Sequence, residues 1–330
     1  MRRLMEGLWL CALATGCGPP GAGRADTVAS DHPHALTVRV LDVGQGDAAY
    51  ITNGGSRVII DGGPDESRFG HLLDSLGVRD DTIDAVVLTH AHFDHYSGLR
   101  ALFQTSRRIT VRYVFENGDA SAASSLRQLR DSIASRVTAG TLIYRDTDDP
   151  CGDGRAICTL TLRGGAMLHI LRPYPVHRTV NDRSTPVKLV GADSASFTMW
   201  LAGDAEREAI AWFLGAAGYG RDPGMRVNVL KGDHHGSCNG VTASYLAALL
   251  PDTAVLSMGA LNDYGHMHAQ PKAIYRAAGV PWYRTDQNGA ITIYSPGTPG
   301  GGYRITVGRP GTDRDGPSDR EASARGCEDN

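Results

Sequence analysis

Beyond the N-terminus, no apolar run in this 330-residue chain reaches the roughly 20 residues that a membrane-spanning helix needs, so no span is expected in the mature protein. Large aromatics are scarce: four Trp and six Phe argue against a helical bundle and toward a turn-rich α/β or β-rich chain. Neither sign of charge dominates, with 33 Lys+Arg against 36 Asp+Glu and a net charge of −3. That balance excludes a protein that holds nucleic acid by bulk basicity, and equally an acidic disordered chain. Glycine, by contrast, is abundant at 41 residues, about 12% where ~7% is usual. The length allows one large domain or two small ones.

The two ends read differently from the body. Met1-Arg2-Arg3, the apolar stretch Leu8–Thr15 and Gly16 read as a secretory leader over residues 1–17, which makes the protein exported: periplasmic, outer-membrane lipoprotein or extracellular. Leu13-Ala14-Thr15-Gly16-Cys17 resembles a bacterial lipoprotein box, with Ala14 where Leu is usual, and makes Cys17 a candidate lipid anchor. Residues 18–35 have linker composition, and 309–330 form a polar tail expected to be disordered. Cys151 and Cys158 flank a Gly-Asp-Gly turn and are expected either as a hairpin-closing disulfide or as two free thiols; their spacing matches no common zinc pattern.

Alternation over Leu36–Asp42, Ala48–Thr52 and Arg57–Asp61, with an Asn53-Gly54-Gly55-Ser56 turn, predicts that the body opens with antiparallel sheet. Arg68–Leu76 reads as a short helix, and Ile83–Thr89 as a buried strand that ends directly on His90. Leu99, Leu102 and Phe103 then recur at helical spacing. Later strands are expected over Val111–Phe115, Leu142–Tyr144, Thr159–Leu162, Met167–Leu171, Pro186–Val190, Phe197–Leu201, Ala254–Ser257, Ala290–Tyr294 and Tyr303–Val307. Helices are expected over Ala205–Ala217, Thr242–Leu250 and Pro271–Ala278.

The segment that carries chemistry is His90-Ala91-His92-Phe93-Asp94-His95, delivered by a strand and followed by a helix. Side chains this close in a tight loop diverge, so they cannot form one tetrahedral site. They can split between two ions about 3.5–4 Å apart, His90 and His92 on one and Asp94 and His95 on the other.

This segment resembles the signature of the metallo-β-lactamase superfamily. Five further strings, in order, resemble the soluble domain of ComEC/Rec2-type competence proteins: Leu41-Asp42-Val43-Gly44-Gln45-Gly46-Asp47, Ile60-Asp61-Gly62-Gly63, Leu201-Ala202-Gly203-Asp204, Leu230-Lys231-Gly232-Asp233-His234-His235-Gly236-Ser237, and Asn262-Asp263-Tyr264-Gly265-His266. His92 departs from that subgroup, which often has Asp there. The resemblance implies one domain over residues 36–308 with a four-layer αββα fold, two mixed sheets sandwiched between helices.

The same resemblance implies roles. Asp204 would bridge two divalent ions, Zn²⁺ or Mn²⁺; His234 would complete the second site with Asp94, His95 and Asp204, with His235 as the alternative. Asp61 would orient the metal loop. His266 would be a further ligand or a substrate-facing acid, while Lys231, Ser237 and Asn181 are candidates to grip an anionic group, so that Asp94, His266 and Lys231 are placed at the reacting centre. A third histidine for the first site would be His169 or His177, unless Asn181-Asp182-Arg183-Ser184 replaces it.

The implied activity is metal-dependent hydrolysis, foremost of phosphodiesters, with single-stranded nucleic acid among the substrates. The alternatives are hydrolysis of carboxylic esters, lactones or β-lactams, and a non-catalytic binding module of the same fold. Basic residues are scattered, although Arg100–Arg112 cluster near the metal loop.

Overall fold

The computed structural model describes residues 32–176 and 179–310. The expected leader with Cys17, most of the linker and tail, and His177 lie outside the described residues.

The chain first lays down β1 (Leu36–Val40), β2 (Ala49–Asn53), β3 (Ser56–Ile60), β4 (Thr82–Val87), β5 (Thr110–Glu116) and β6 (Ile143–Asp146). A second sheet then takes β7 (Ile157–Thr161), β8 (Met167–Leu171), β9 (Val187–Val190), β10 (Thr198–Leu201), β11 (Val229–Lys231), β12 (Thr253–Leu256) and β13 (Trp282–Arg284). The chain returns to the first sheet with β14 (Ile291–Ser295) and β15 (Arg304–Val307), giving the orders β15-β14-β1-β2-β3-β4-β5-β6 and β13-β12-β11-β10-β9-β8-β7. Both sheets are mixed. β1, β2 and β3 pair antiparallel before β3 to β6 run parallel. Likewise β7 to β10 are antiparallel, and β10 to β13 parallel.

Helices cover the outer faces: α1 (Glu66–Ser75), α2 (Phe93–Tyr96) and α3 (Ser124–Thr138) on the first sheet, α4 (Arg207–Leu214), α5 (Ala243–Leu249) and α6 (Ala269–Ala277) on the second. A short α7 (Thr285–Asn288) follows β13. Three apolar cores mark the layers. Val38, Val58, Val87 and Phe115 meet Leu168, Leu189, Met199 and Val255 between the sheets. Tyr50, Ile59 and Val86 pack outward on Phe69, Leu73, Leu99 and Leu129. Trp200 and Leu230 pack outward on Ile210, Phe213, Tyr245 and Tyr275. β4 is apolar through its second half because both of its faces are buried there: Ala85 and Val87 join one core, Val86 the other, while Thr82 and Asp84 at its start are half-buried. The architecture is αββα, as the sequence implies.

Caps explain two helix starts. The Asp65 carboxylate accepts from the Arg68 N–H at 2.6 Å, and the Thr242 hydroxyl from the Tyr245 N–H at 3.1 Å. α3 falls outside the sequence expectations, because its polar surface leaves only Leu126, Leu129 and Ile133 as a buried stripe. The helix expected after the metal loop is a single α turn followed by a 3₁₀ run over Ser97–Phe103. Cys151 and Cys158 are joined in a disulfide at the entry to the second sheet, with Cα atoms 5.0 Å apart, and the buried Cys238 thiol donates to Asn239 Oδ1 at 3.6 Å. Among the described residues no helix is long and apolar enough to cross a membrane.

Candidate metal centre

The first sheet delivers one half of the site. β3 runs out at Ile60, and Asp61 turns into the left-handed region at φ 58° while its N–H donates to the Val87 carbonyl at 2.9 Å. The Asp61 carboxylate then accepts from the Thr89 N–H and hydroxyl, both at 2.8 Å, and lies 2.9 Å from His95 Nδ1. This pins the imidazole so that Nε2 points inward, the usual service of a carboxylate behind a metal-binding His. Two glycines let the loop seat this tightly: a Cβ on Gly98 would sit 1.9 Å from the Gly62 carbonyl, and one on Gly62 would sit 2.5 Å from the Leu99 nitrogen. His90 is held by Thr89 Oγ1 at 3.1 Å and Ser184 Oγ at 3.3 Å, and its Nε2 lies 3.1 Å from His92 Nδ1.

The second sheet supplies the other half. Asp204 follows β10, its N–H donating to Ser184 Oγ at 3.0 Å. β11 leads into His234 and His235, both left-handed with φ 46° and 53°, a strained pair that sends the two rings apart at 69°. His235 turns inward, its Nδ1 3.0 Å from the Ser257 carbonyl and its Nε2 3.2 Å from Asp204 Oδ2 and 3.3 Å from Asp94 Oδ2. His234 turns toward Glu206, whose carboxylate lies 3.2 Å from its Nδ1, and stands 3.9 Å from Asp204 Oδ2.

Three groups of ligand atoms result among the described residues: Asp47, Asp61 and His95 form one behind the loop, and the other two share a carboxylate. Of these two, Asp94, His95, Asp204 and His235 converge in one; His90, His92 and Asp204 converge in the other. Asp204 belongs to both. His95 Nε2, His235 Nε2 and Asp204 Oδ1 are buried without a hydrogen-bond partner, although both imidazole nitrogens lie 3.2 Å from Asp204 Oδ2. Orphaned buried polar atoms are costly, and these aim at shared points rather than at one another, which is the arrangement a cation satisfies. Imidazole and carboxylate donors together suit ions such as Zn²⁺ and Mn²⁺. Burial opposes ionising Asp204, yet His235 and His95 hold its carboxyl well below the usual range. Burial equally opposes protonation of His95 and His235, yet Asp204, with Asp61 for the first and Asp47 for the second, raises both imidazoles well above their ordinary range, so each must give up a proton to ligate. Burial and the neighbouring imidazole of His95 keep His90 neutral, the form that ligates.

The remaining sequence assignments are placed as follows. His235, rather than His234, stands in the four-residue group, because the double left-handed turn carries His234 outward. Lys231 is not at the substrate side; it is buried beneath the site with Nζ 2.8 Å from Asp47 Oδ2 and donates to the Gly232 carbonyl at 2.9 Å. His266 lies beside the four-residue group, its ring 5.9 Å from that of His235 and 5.6 Å from that of His234, and burial among these imidazoles lowers its pKa to about 2. Its Nδ1 faces Gln45 Nε2 at 3.3 Å. Asn181 donates to Glu206 at 2.8 Å and lies 3.5 Å from His234 Nε2; Ser237 is buried, its N–H donating to the His234 carbonyl. His169 sits mid-strand on β8 against Thr159 at 2.7 Å and joins none of the groups. Asp47 and Glu206 also stand at the site, Asp47 3.3 Å from His235 Nδ1 and Glu206 3.2 Å from His234 Nδ1. Asp47 sits within a quoted string, but nothing in the spacing announces Glu206.

This placement yields an expected result. His235→Ala should weaken metal binding by about 10- to 100-fold, whereas His234→Ala should retain metal. Metal titration followed by calorimetry separates the two, and the reverse order would return His234 to the ligand set.

Residues 41–187 match the family model described as the metallo-beta-lactamase superfamily. Among curated proteins, the chain is 24% identical over 278 residues to ComE operon protein 3 of Bacillus subtilis (strain 168), covering 77% of this chain and 32% of that protein. It is 25% identical over 259 residues to Competence protein ComA of Neisseria gonorrhoeae, covering 77% and 31%. The chain thus spans about a third of the length of these relatives. Among solved structures it is similar to the metallo-beta-lactamase fold protein YhfI from Bacillus subtilis, with a TM-score of 0.48, 12% identity, and 76% of this chain and 96% of that one covered. The short form of human tRNase Z gives a TM-score of 0.43 at 14% identity, covering 66% and 91%. The sequence match runs from the end of β1 through the His-rich loop to β9, so it is residues 41–187 that carry the metallo-β-lactamase signature.

Proposed function

We propose that this chain is a hydrolase of phosphodiesters that works with two divalent ions, Zn²⁺ or Mn²⁺, held by His90, His92, Asp94, His95, Asp204 and His235. The observation that carries the reading is Asp204, a fully buried carboxylate common to both ligand groups. Ions in such a pair supply Lewis acidity and lower the pKa of water from 15.7 toward about 7. The chain's own residues do the rest. Asp61, through Thr89 and His95, holds the loop in one orientation, and Ser184 fixes both His90 and the Asp204 backbone. Beside the ligands stand Asn181, His234 and His266, amide and imidazole groups suited to the oxygens of a phosphoryl centre. Export belongs to the same reading, and the Cys151–Cys158 disulfide supports an oxidising compartment.

Protein loaded with Mn²⁺ or Zn²⁺ should hydrolyse bis-p-nitrophenyl phosphate and single-stranded DNA, lose that activity to a chelator, and leave nitrocefin intact. Turnover of nitrocefin or a lactone without any phosphodiester cleavage would replace the reading with its acyl counterpart.

A further inference from the structure

Among the described residues, Phe93 and Tyr264 are the two large aromatic rings left mostly in water, 56% and 63% exposed; every other described Phe, Tyr and Trp is buried or half-buried. A chain that hides its other rings gains nothing in stability from these two, since burying either would remove apolar surface from water. Their positions are not scattered. Phe93 stands between His92 and Asp94, edge-on to Tyr96 at 5.9 Å. Tyr264 lies flat on His266, centroids 5.5 Å apart and planes 19° apart, and the His266 ring is in turn 5.9 Å from His235. Each ring is therefore fixed by a neighbour and adjoins the ligand groups. Beyond Phe93 opens a hollow lined by His71, Ser97, Arg100 and Gln104.

We infer that Phe93 and Tyr264 are specificity-determining residues: stacking platforms that select diesters carrying flat aromatic rings, the bases of single-stranded nucleic acid, over diesters without them. This rests on the phosphodiesterase reading and deepens it. Stacking explains how a chain with a net charge of −3 can hold such a substrate, because base–aromatic contact is indifferent to sequence and does not depend on net charge.

The test uses the Mn²⁺-loaded protein and a slowly cleaved phosphorothioate oligonucleotide carrying 2-aminopurine, with an abasic counterpart of equal length. Wild type should quench 2-aminopurine fluorescence on binding. Tyr264→Ala and Phe93→Ala should each raise Kd about 5- to 150-fold and reduce the quench, leave Kd for the abasic strand unchanged, and keep wild-type metal content and circular dichroism. Tyr264→Phe should bind as wild type. Absence of quenching in wild type, or equal weakening toward both strands, overturns the assignment. Quenching without cleavage of ordinary single-stranded DNA would instead sink the hydrolase reading and leave the stacking platforms standing.

Discussion

Asp204→Asn is expected to lower hydrolysis of bis-p-nitrophenyl phosphate by at least about 10³-fold and to cut bound metal below two ions per chain. The substitution keeps shape and the backbone bond to Ser184, and removes one negative charge at the point both ligand groups share. Asp204 Oδ2 lies 3.2 Å from His95 Nε2, 3.2 Å from His235 Nε2 and 3.8 Å from His90 Nε2, so a cation in either group would lose the same anionic neighbour. Two adjacent divalent ions would repel, and a carboxylate common to both ligand groups would offset part of that repulsion. Stability gives an independent readout. Metal at 100 times its Kd stabilises a folded protein by about 2.7 kcal/mol, and that increment should vanish in the variant. Elemental analysis showing two ions in Asp204→Asn, with turnover near wild type, would remove Asp204 from the centre of the site.

Lys231→Met is expected to destabilise the protein by about 3–5 kcal/mol, the usual penalty for leaving one member of a buried ion pair alone. Lys231 and Asp47 are both nearly excluded from water, with Nζ 2.8 Å from Oδ2. The lysine also faces Asp233, which burial pushes well above the ordinary carboxylate range and which Lys231 opposes. It is thus the buried cation beneath a site rich in acids, and Asp47 in turn lies 3.3 Å from His235 Nδ1. In thermal denaturation the loss should lower Tm by on the order of 10 °C. Adding Asp47→Asn to Lys231→Met should recover part of it, because the stranded charge goes too. A lysine that gripped substrate would behave otherwise: stability would stay at wild type and only KM would rise.

What could be read from residues alone was whatever the chain keeps local. His90, His92, Asp94 and His95 fall within six positions, so their joint chemistry needs no knowledge of the fold, and the buried strand that delivers them is announced by its own apolar run. Most strands and helices followed from alternation and helical spacing, but β11 and β13, three residues each, were too short to register, and which strands share a sheet is not written locally. α3 escaped because its buried stripe is three residues in a polar helix, too thin for periodicity to register.

By itself, then, the sequence determined the His-rich loop and the strand that delivers it, since both are written in short-range pattern, whereas the αββα architecture and the shared Asp204 came from the resemblance of ordered strings to a known superfamily. Only the tertiary structure decided which of two adjacent imidazoles turns inward. Neighbours in sequence are equivalent until a backbone conformation separates them, and here the left-handed turn at His234 and His235, with the Ser257 carbonyl 3.0 Å from His235 Nδ1, does so. It likewise decided that Lys231 faces Asp47, a pairing across 184 positions that no local pattern encodes, because a charge's role depends on what packing brings within a few ångströms of it.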